Sequence, residues 1–389
     1  MKSEVRQRTR DTPKNPNDGP LDGHHNDKKH SAKRSPKLGS NACVKSGVKN
    51  ILKWGLIVLM VVSVIVFILS PIVFRYSLTI RRLLVFMNYI NIPLFKNLSD
   101  PINEFDMNCT QNIYLTNEDV NQTIRLGVWH ILPKSRNDEC LEGKHLVDPS
   151  VAFNDNRPVF LYLHGNGGAR GGHHRRQLYE VLTTSSQLDA HVVTFDYRGY
   201  GDSTNVWPTA DGLRSDANTV YYWLLNQTHI HKNRVIVWGH SLGTAVSVRF
   251  LSQLPVADNP RALVLEAPFT SIGEALKWHP FSIIYRNYFP FFDTFFVDPI
   301  VNSDVTNFDS TSALNRIQIP LLILHAQDDG IVPFHLGHKL YEQSLRDQPK
   351  SCKRAQMIAF NGQYGYGHKY IFKDLQLPQI IHNFIASNE

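Results

Sequence analysis

The stretch VIVWGHSLGTAVSV, residues 235–248, decides the fold. An apolar run stops at Gly239, Ser241 stands between two glycines, and small residues then resume in a helical pattern. A hydroxyl at such a break has a use where the chain turns sharply from strand to helix, because the turn projects the serine Oγ as a nucleophile elbow. An ordinary polar turn uses the same residue types, so the remainder of the chain has to decide.

The remainder alternates. Apolar β-rich runs at 157–165, 189–199, 234–241, 261–269, 320–328 and 356–360 are nearly continuous, the pattern of strands covered on both faces in a parallel sheet. Helical patterns near 173–187, 211–226, 242–254, 336–346 and 378–386 lie between or after them. Strand and helix in alternation predict a doubly wound α/β sheet, whose sites form at the carboxyl ends of the strands.

A serine hydroxyl needs a base, an orienting carboxylate and donors for the oxyanion. The run LLILHAQDDGIVP ends with Asp328 and Asp329, and the spacing Asp329-Gly330-Ile331-Val332-Pro333 selects Asp329 as the carboxylate, with Asp328 a turn or cap residue. His368, in YGYGHKY after the last strand, is the expected base. His382 sits in an apolar helical pattern and reads as a packing residue. LHGNGG, residues 163–168, closes an early strand and offers the Asn166 N–H, which with the Leu242 N–H after the nucleophile forms the expected oxyanion hole; His164 and His240 shape the turns. The order Ser, Asp, His along the chain is that of α/β-hydrolases rather than of chymotrypsin or subtilisin. This chemistry requires no metal or organic cofactor, and no CxxC or HxxxH spacing suggests one.

The 389 residues carry a net charge of +7, which looks basic, but residues 1–53 hold 13 Lys and Arg against 5 Asp and Glu. The remaining chain has 28 basic against 29 acidic residues, so no basic face for nucleic acid is expected on the folded part. Residues 1–50 contain almost no large apolar side chains and read as a disordered basic tail. Residues 54–74, WGLIVLMVVSVIVFILSPIVF, carry no charge and as a helix match the thickness of a bilayer core. The Lys/Arg surplus before the span puts the N-terminus in the cytosol and the C-terminal domain in the lumen or outside. Sequons at Asn97, Asn108, Asn121 and Asn226 all follow the span and fit that orientation. Cys109 and Cys140 are able to form a disulfide that leaves Cys352 unpaired, although the sequence leaves the pairing open. The short stretch LLVFMNYINIPLF, residues 83–95, is either a helix at the membrane interface or a linker packed on the domain, within a juxtamembrane region at 75–109.

Taken together, LHGNGG, TFDYRGYGDS (residues 194–203), GHSLG, LHAQDD and GHKY, behind a tail and a single span, resemble the membrane lysophosphatidylserine and monoacylglycerol lipases of the α/β-hydrolase superfamily. The resemblance implies an α/β-hydrolase fold over 110–389 with a cap near 270–315. It also implies a single-pass endoplasmic-reticulum protein with a lumenal Ser-His-Asp site that cleaves lysophospholipids and monoacylglycerols. An acyl-protein thioesterase on the same triad, or a non-catalytic adhesion or receptor ectodomain on the same scaffold, are the competing functions.

Two features speak to substrate. WHPFSIIYRNYFPFFDTFFV, residues 278–297, is dense in aromatics, as a cap dipping toward the bilayer would be, although a packed surface helix pair has the same composition. ARGGHHRR, residues 169–176, places Arg170, Arg175 and Arg176 beside the oxyanion loop, where they are candidates for an anionic headgroup or form a solvated face.

Overall fold

The computed structural model describes residues 40–119, 122–141, 149–350 and 352–388. Most of the expected tail and the sequon at Asn121 lie outside these residues. Eight strands form one sheet: β1 (Thr110–Asp119), β2 (Gln122–Ile131), β3 (Val159–Leu163), β4 (His191–Phe195), β5 (Val235–His240), β6 (Ala262–Glu266), β7 (Leu321–Ala326) and β8 (Gln356–Phe360). Their spatial order is β1-β2-β4-β3-β5-β6-β7-β8. β1 and β2 are antiparallel to each other and β2 is antiparallel to β4, whereas every pair from β4 to β8 is parallel.

The unbroken apolar runs follow from burial on both faces. In β5, Val235 and Val237 pack into one core, while Ile236 and Trp238 pack into the other. β3 repeats this with Val159, Leu161 and Leu163 against Phe160 and Tyr162, because successive side chains point to opposite faces. Helices Ala210–Leu225, Leu242–Leu251 and Phe334–Asp347 cover the first face; His173–Thr184 and Leu377–Ala386 cover the second. The β1-β2 hairpin is absent from the strands expected from sequence. TQNIYLTNED in β1 is polar and half exposed, so its strand character comes from the pairing of Thr110–Asp119 with β2 rather than from an apolar run.

The membrane segment differs from expectation at its start. The helix begins at Ser40, not at residue 54, and runs to Val64, so residues 40–50 of the expected disordered tail are helical. An apolar helix that has already nucleated extends into flanking residues at little cost. A five-residue π turn, Ile65–Leu69, leads into Ser70–Tyr76. Pro71 has no N–H to donate into the preceding turn, which accounts for the wider turn there. Residues Lys45–Tyr76 are the one described segment long and apolar enough to cross a membrane, with a mean hydropathy of 3.1 over the 18 residues of its most apolar window. The chain divides after Leu59 into two units, Met1–Leu59 and Met60–Glu389.

Within the second unit, the stretch at 83–95 behaves mainly as a packed linker. Helix Leu78–Phe86 buries Val85 and Phe86 in the core, whereas Tyr89, Leu94 and Phe95 further on are exposed. Between β6 and β7 the aromatic insertion folds as short helical pieces, Ile272–Trp278, Ile283–Tyr288 and Asp298–Val301, with a π turn at Asp293–Val297. Phe292 and Phe296 are buried and Phe74 packs on Phe296, while Phe281, Ile284, Tyr288 and Phe291 stay exposed. The insertion is both a packed layer and an apolar outer surface. Cys109 and Cys140 form a disulfide with their Cα atoms 5.3 Å apart.

Candidate active site

β5 ends at His240 and the next helix begins at Leu242, so Ser241 alone makes the turn, at φ 52° and ψ −118°. That conformation is strained for a residue with a Cβ. It is held from both sides: the Ser241 N–H donates to the Glu266 carbonyl (2.9 Å), and the Ser241 carbonyl accepts from the Thr244 N–H and hydroxyl. The flanking glycines serve close approach rather than unusual φ. A Cβ on Gly239 would lie 2.5 Å from the Gly243 carbonyl oxygen, and one on Gly243 would lie 2.0 Å from that of Leu163. The tight crossing of strand, helix and oxyanion loop therefore admits no side chain at either position.

Three side chains from separate loops meet at this turn. Ser241 Oγ is 2.9 Å from His368 Nε2, and His368 Nδ1 is 2.7 Å from Asp329 Oδ2. A carboxylate only accepts, so Nδ1 carries the proton and Nε2 is left to accept from the serine hydroxyl. Asp329 Oδ1 accepts from the Ile331 and Val332 N–H groups, both at 2.9 Å. Burial raises the pKa of Asp329, but hydrogen bonds from His325 and His368 outweigh it and hold the carboxyl well below the usual range. Asp328 Oδ2 accepts from the Gly367 N–H, and the His368 carbonyl accepts from His240 Nε2 (2.9 Å), so both neighbours anchor the histidine loop. Gly365 and Gly367, at φ 67° and 51°, let that loop double back over the sheet. His382 is exposed and bonds the Gln187 carbonyl; it is not the core packing residue expected.

Asn166 and Leu242 both line the cavity that holds Ser241. Among the described residues their backbone N–H groups have no hydrogen-bond partner, whereas the next three amides of the same loop are occupied. Gly167, Gly168 and Ala169 donate to the carbonyls of Phe86, Ile90 and Ile92. The segment following the membrane helix thus straps the oxyanion loop in place, a role that nothing in its local sequence signals.

The three arginines are not free for a headgroup, which corrects that expectation. Arg170 is fully buried: its guanidinium binds Asp196 and Asp202, each at 2.6 Å, and lies over the Trp129 ring. Arg175 is buried and donates to the carbonyls of Gly165, Gly167 and Ala169 at 3.1, 2.7 and 2.6 Å, bracing the oxyanion loop from beneath. Arg176 donates to the Phe105 and Gly171 carbonyls and covers the Phe105 ring. The loop is rich in glycine and turns its carbonyls inward, so guanidinium groups are needed to satisfy them. His164 and His240 are buried in the turns, and burial pushes both well below the usual histidine pKa.

Comparison with known proteins identifies the fold and the family. A family model described as the alpha/beta hydrolase fold matches residues 158–310. The lysophosphatidylserine lipase ABHD12 of Danio rerio is 42% identical over 83% of this chain and 81% of its own length; that of Rattus norvegicus is 43% identical over 83% and 78%. The chain belongs to the ABHD12 family of α/β-hydrolases. Human Protein ABHD12B is 35% identical over 78% of this chain and 80% of its own. Among solved structures, an esterase of Pyrococcus furiosus, Pf2001, superposes with a TM-score of 0.52 over 77% of this chain and 97% of its own at 19% identity, and shares the fold. As a member of the ABHD12 family the chain is a lipase- or esterase-class hydrolase with one long apolar N-terminal helix that fits a single-pass membrane protein.

Proposed function

We propose that the chain cleaves the acyl ester of lysophosphatidylserine and of monoacylglycerols, with Ser241 as nucleophile, His368 as general base and acid, Asp329 as its orienting carboxylate, and the Asn166 and Leu242 N–H groups as the oxyanion hole. His368 Nε2 takes the Oγ proton as Oγ bonds to the ester carbonyl carbon. The charge that builds on the carbonyl oxygen falls between the two unpaired amides, and Asp329 stabilises the imidazolium. His368 then returns the proton to the leaving glycerol oxygen. Water enters and gives a proton to the same nitrogen as its oxygen bonds to the acyl carbon; the bond from that carbon to Oγ breaks, Oγ takes the proton back from His368, and the fatty acid leaves.

One observation carries the choice of an amphiphilic substrate: Ser241 lies on the wall shared by two cavities, of which only one also bears His173, His174, Arg175 and Lys369. On one side a narrow cavity of about 70 Å³ is lined by Leu84, Phe269, Ile272, Leu276 and Ile300. Leu84 and Leu276 also line a larger apolar cavity of about 440 Å³ that reaches Leu69 and Val73 of the apolar helix. This is a path for an acyl chain from a bilayer to the nucleophile. The exposed Phe281, Ile284, Tyr288 and Phe291 beside it suit contact with lipid. The other cavity has an apolar wall at Ile90, Ile92 and Phe281 but carries the histidines and Lys369, and these groups suit the headgroup. Membranes containing the wild-type chain are expected to hydrolyse both lipids and to label with a fluorophosphonate probe, and Ser241→Ala loses labelling and about 10⁶-fold in turnover. Preference for acyl thioesters over both lipids would instead support the thioesterase reading.

The same reading puts residues 1–50 in the cytosol, the span at 54–74 in the endoplasmic-reticulum membrane and the hydrolase domain, 110–389 with its cap at 270–315, in the lumen. Its supports are the basic residues before the span, exposed sequons at Asn97, Asn108 and Asn226, and a disulfide suited to an oxidising compartment. A glycosidase-sensitive mass shift is the expected result; a chain without glycan and with reduced Cys109 would reverse the orientation.

A further inference from the structure

The second cavity beside Ser241, of about 340 Å³, has five histidines, Arg175 and Lys369 in its otherwise largely apolar wall, and no carboxylate among the described residues. These groups do not contribute equally. Arg175 is committed to three loop carbonyls. Burial depresses the pKa of His174, His240 and His279, so these rings are neutral near pH 7. His368 is occupied by Asp329 and Ser241. Lys369, the next residue in the chain, is exposed and has no hydrogen bond or ion pair among the described residues. Desolvation against the cavity wall and then the like charge of Arg175 lower its pKa, and no acidic group offsets them. Lys369 therefore presents a positive charge at this wall that no carboxylate neutralises, where an anionic group of a bound molecule would find it.

We infer that Lys369 binds the headgroup phosphate of a lysophospholipid and sets the preference of this site for lysophospholipids over neutral monoacylglycerols. The inference rests on the proposed lipase activity and adds a specificity residue to it. The geometry follows from the substrate: with the acyl chain in the apolar cavity and the ester carbonyl at Ser241, a phosphate one glycerol unit away lies on the opposite side of Ser241, in the cavity of Lys369. Monoacylglycerol has no charge to place there.

The test uses the full-length chain in membranes, with lysophosphatidylserine, lysophosphatidylethanolamine and monoacylglycerol of one acyl chain. In Lys369→Gln the ratio of kcat/KM for either lysophospholipid to that for monoacylglycerol should fall about tenfold, chiefly through KM, as expected for loss of one charge-assisted contact. Lys369→Arg should restore most of the ratio. Added salt should raise the wild-type KM for lysophospholipids and have little effect on Lys369→Gln. An unchanged ratio, or failure of arginine to restore it, overturns the inference. A loss confined to lysophosphatidylserine also overturns it, because the serine carboxylate would then be the bound group. If the wild-type chain cleaves none of the three lipids, the proposed activity itself falls, whatever Lys369 does.

Discussion

The two cavities that meet at Ser241 share Met87, Asn166, His279 and Ile331 and differ in the rest of their walls. One adds the glycines of the oxyanion turn after β3, His173 to Arg175 of the helix that follows, and His368 and Lys369 of the loop after β8. The other adds Leu84 of helix Leu78–Phe86 and Ile272, Leu276 and Ile300 of the insertion after β6. The contrast assigns different expected roles to the two sides. The loops at the strand ends hold Ser241, His368 and Asp329 at hydrogen-bond distance, and on the proposed function helix Leu78–Phe86 and the insertion would select the acyl chain.

This separation can be broken at graded cost. The largest effect short of removing the nucleophile is expected at the carboxylate. Asp329→Asn keeps the shape but loses the charge that sets the His368 tautomer, so kcat should fall about 10⁴-fold for every substrate, with both lipids affected alike. A substrate-dependent loss would mean that Asp329 acts in binding instead. Next, Leu276 lines both apolar cavities, and Leu276→Trp would block the proposed acyl route between them. Turnover of long-chain monoacylglycerol should fall about tenfold while a short acetyl ester is nearly unaffected; equal losses on both would show that acyl chains take another route.

The smallest effect concerns stability rather than turnover. Glu266, at the end of β6, is buried and its carboxyl oxygen Oε2 accepts from Trp238 Nε1 at 2.9 Å. Burial, reinforced by the nearby charge of Asp329, pushes its pKa up to about 8. Between its unfolded pKa of about 4.3 and that value the unfolded chain binds fewer protons than the folded one, so stability declines as pH rises through this window and levels off above it. Glu266→Gln should melt with the wild-type protein near pH 5 and at a higher temperature near pH 8, by scanning fluorimetry. Parallel melting curves across this range would show that Glu266 is ionised throughout.

Much of the sheet and the chemistry at its edge was legible. The parallel strands β3 to β7 announce themselves because burial on both faces demands unbroken apolar runs; the Ser241 and Asp329 turns follow such runs closely, while His368 comes a short loop after the edge strand β8, of which only Phe360 is buried. The antiparallel hairpin was not legible, since β1 is polar and acquires its form from its partner. The arginines were misread for a related reason. Positive residues beside a glycine-rich loop look like an anion site, but they turn inward because buried loop carbonyls and Asp196 have to be satisfied. The strap of Phe86, Ile90 and Ile92 acts through backbone carbonyls, which carry no side-chain signature at all.

The sequence by itself determined the parallel α/β core, the Ser-Asp-His order and the apolar span, because each depends on hydrophobic periodicity or on residues within a few positions of a strand end. Only the tertiary structure decided which cations are structural, what holds the oxyanion loop and how the insertion meets helix Leu78–Phe86 to line two neighbouring apolar cavities. Those features depend on polar groups and surfaces brought together across tens to hundreds of residues, and local patterns hold no record of which partners burial will impose.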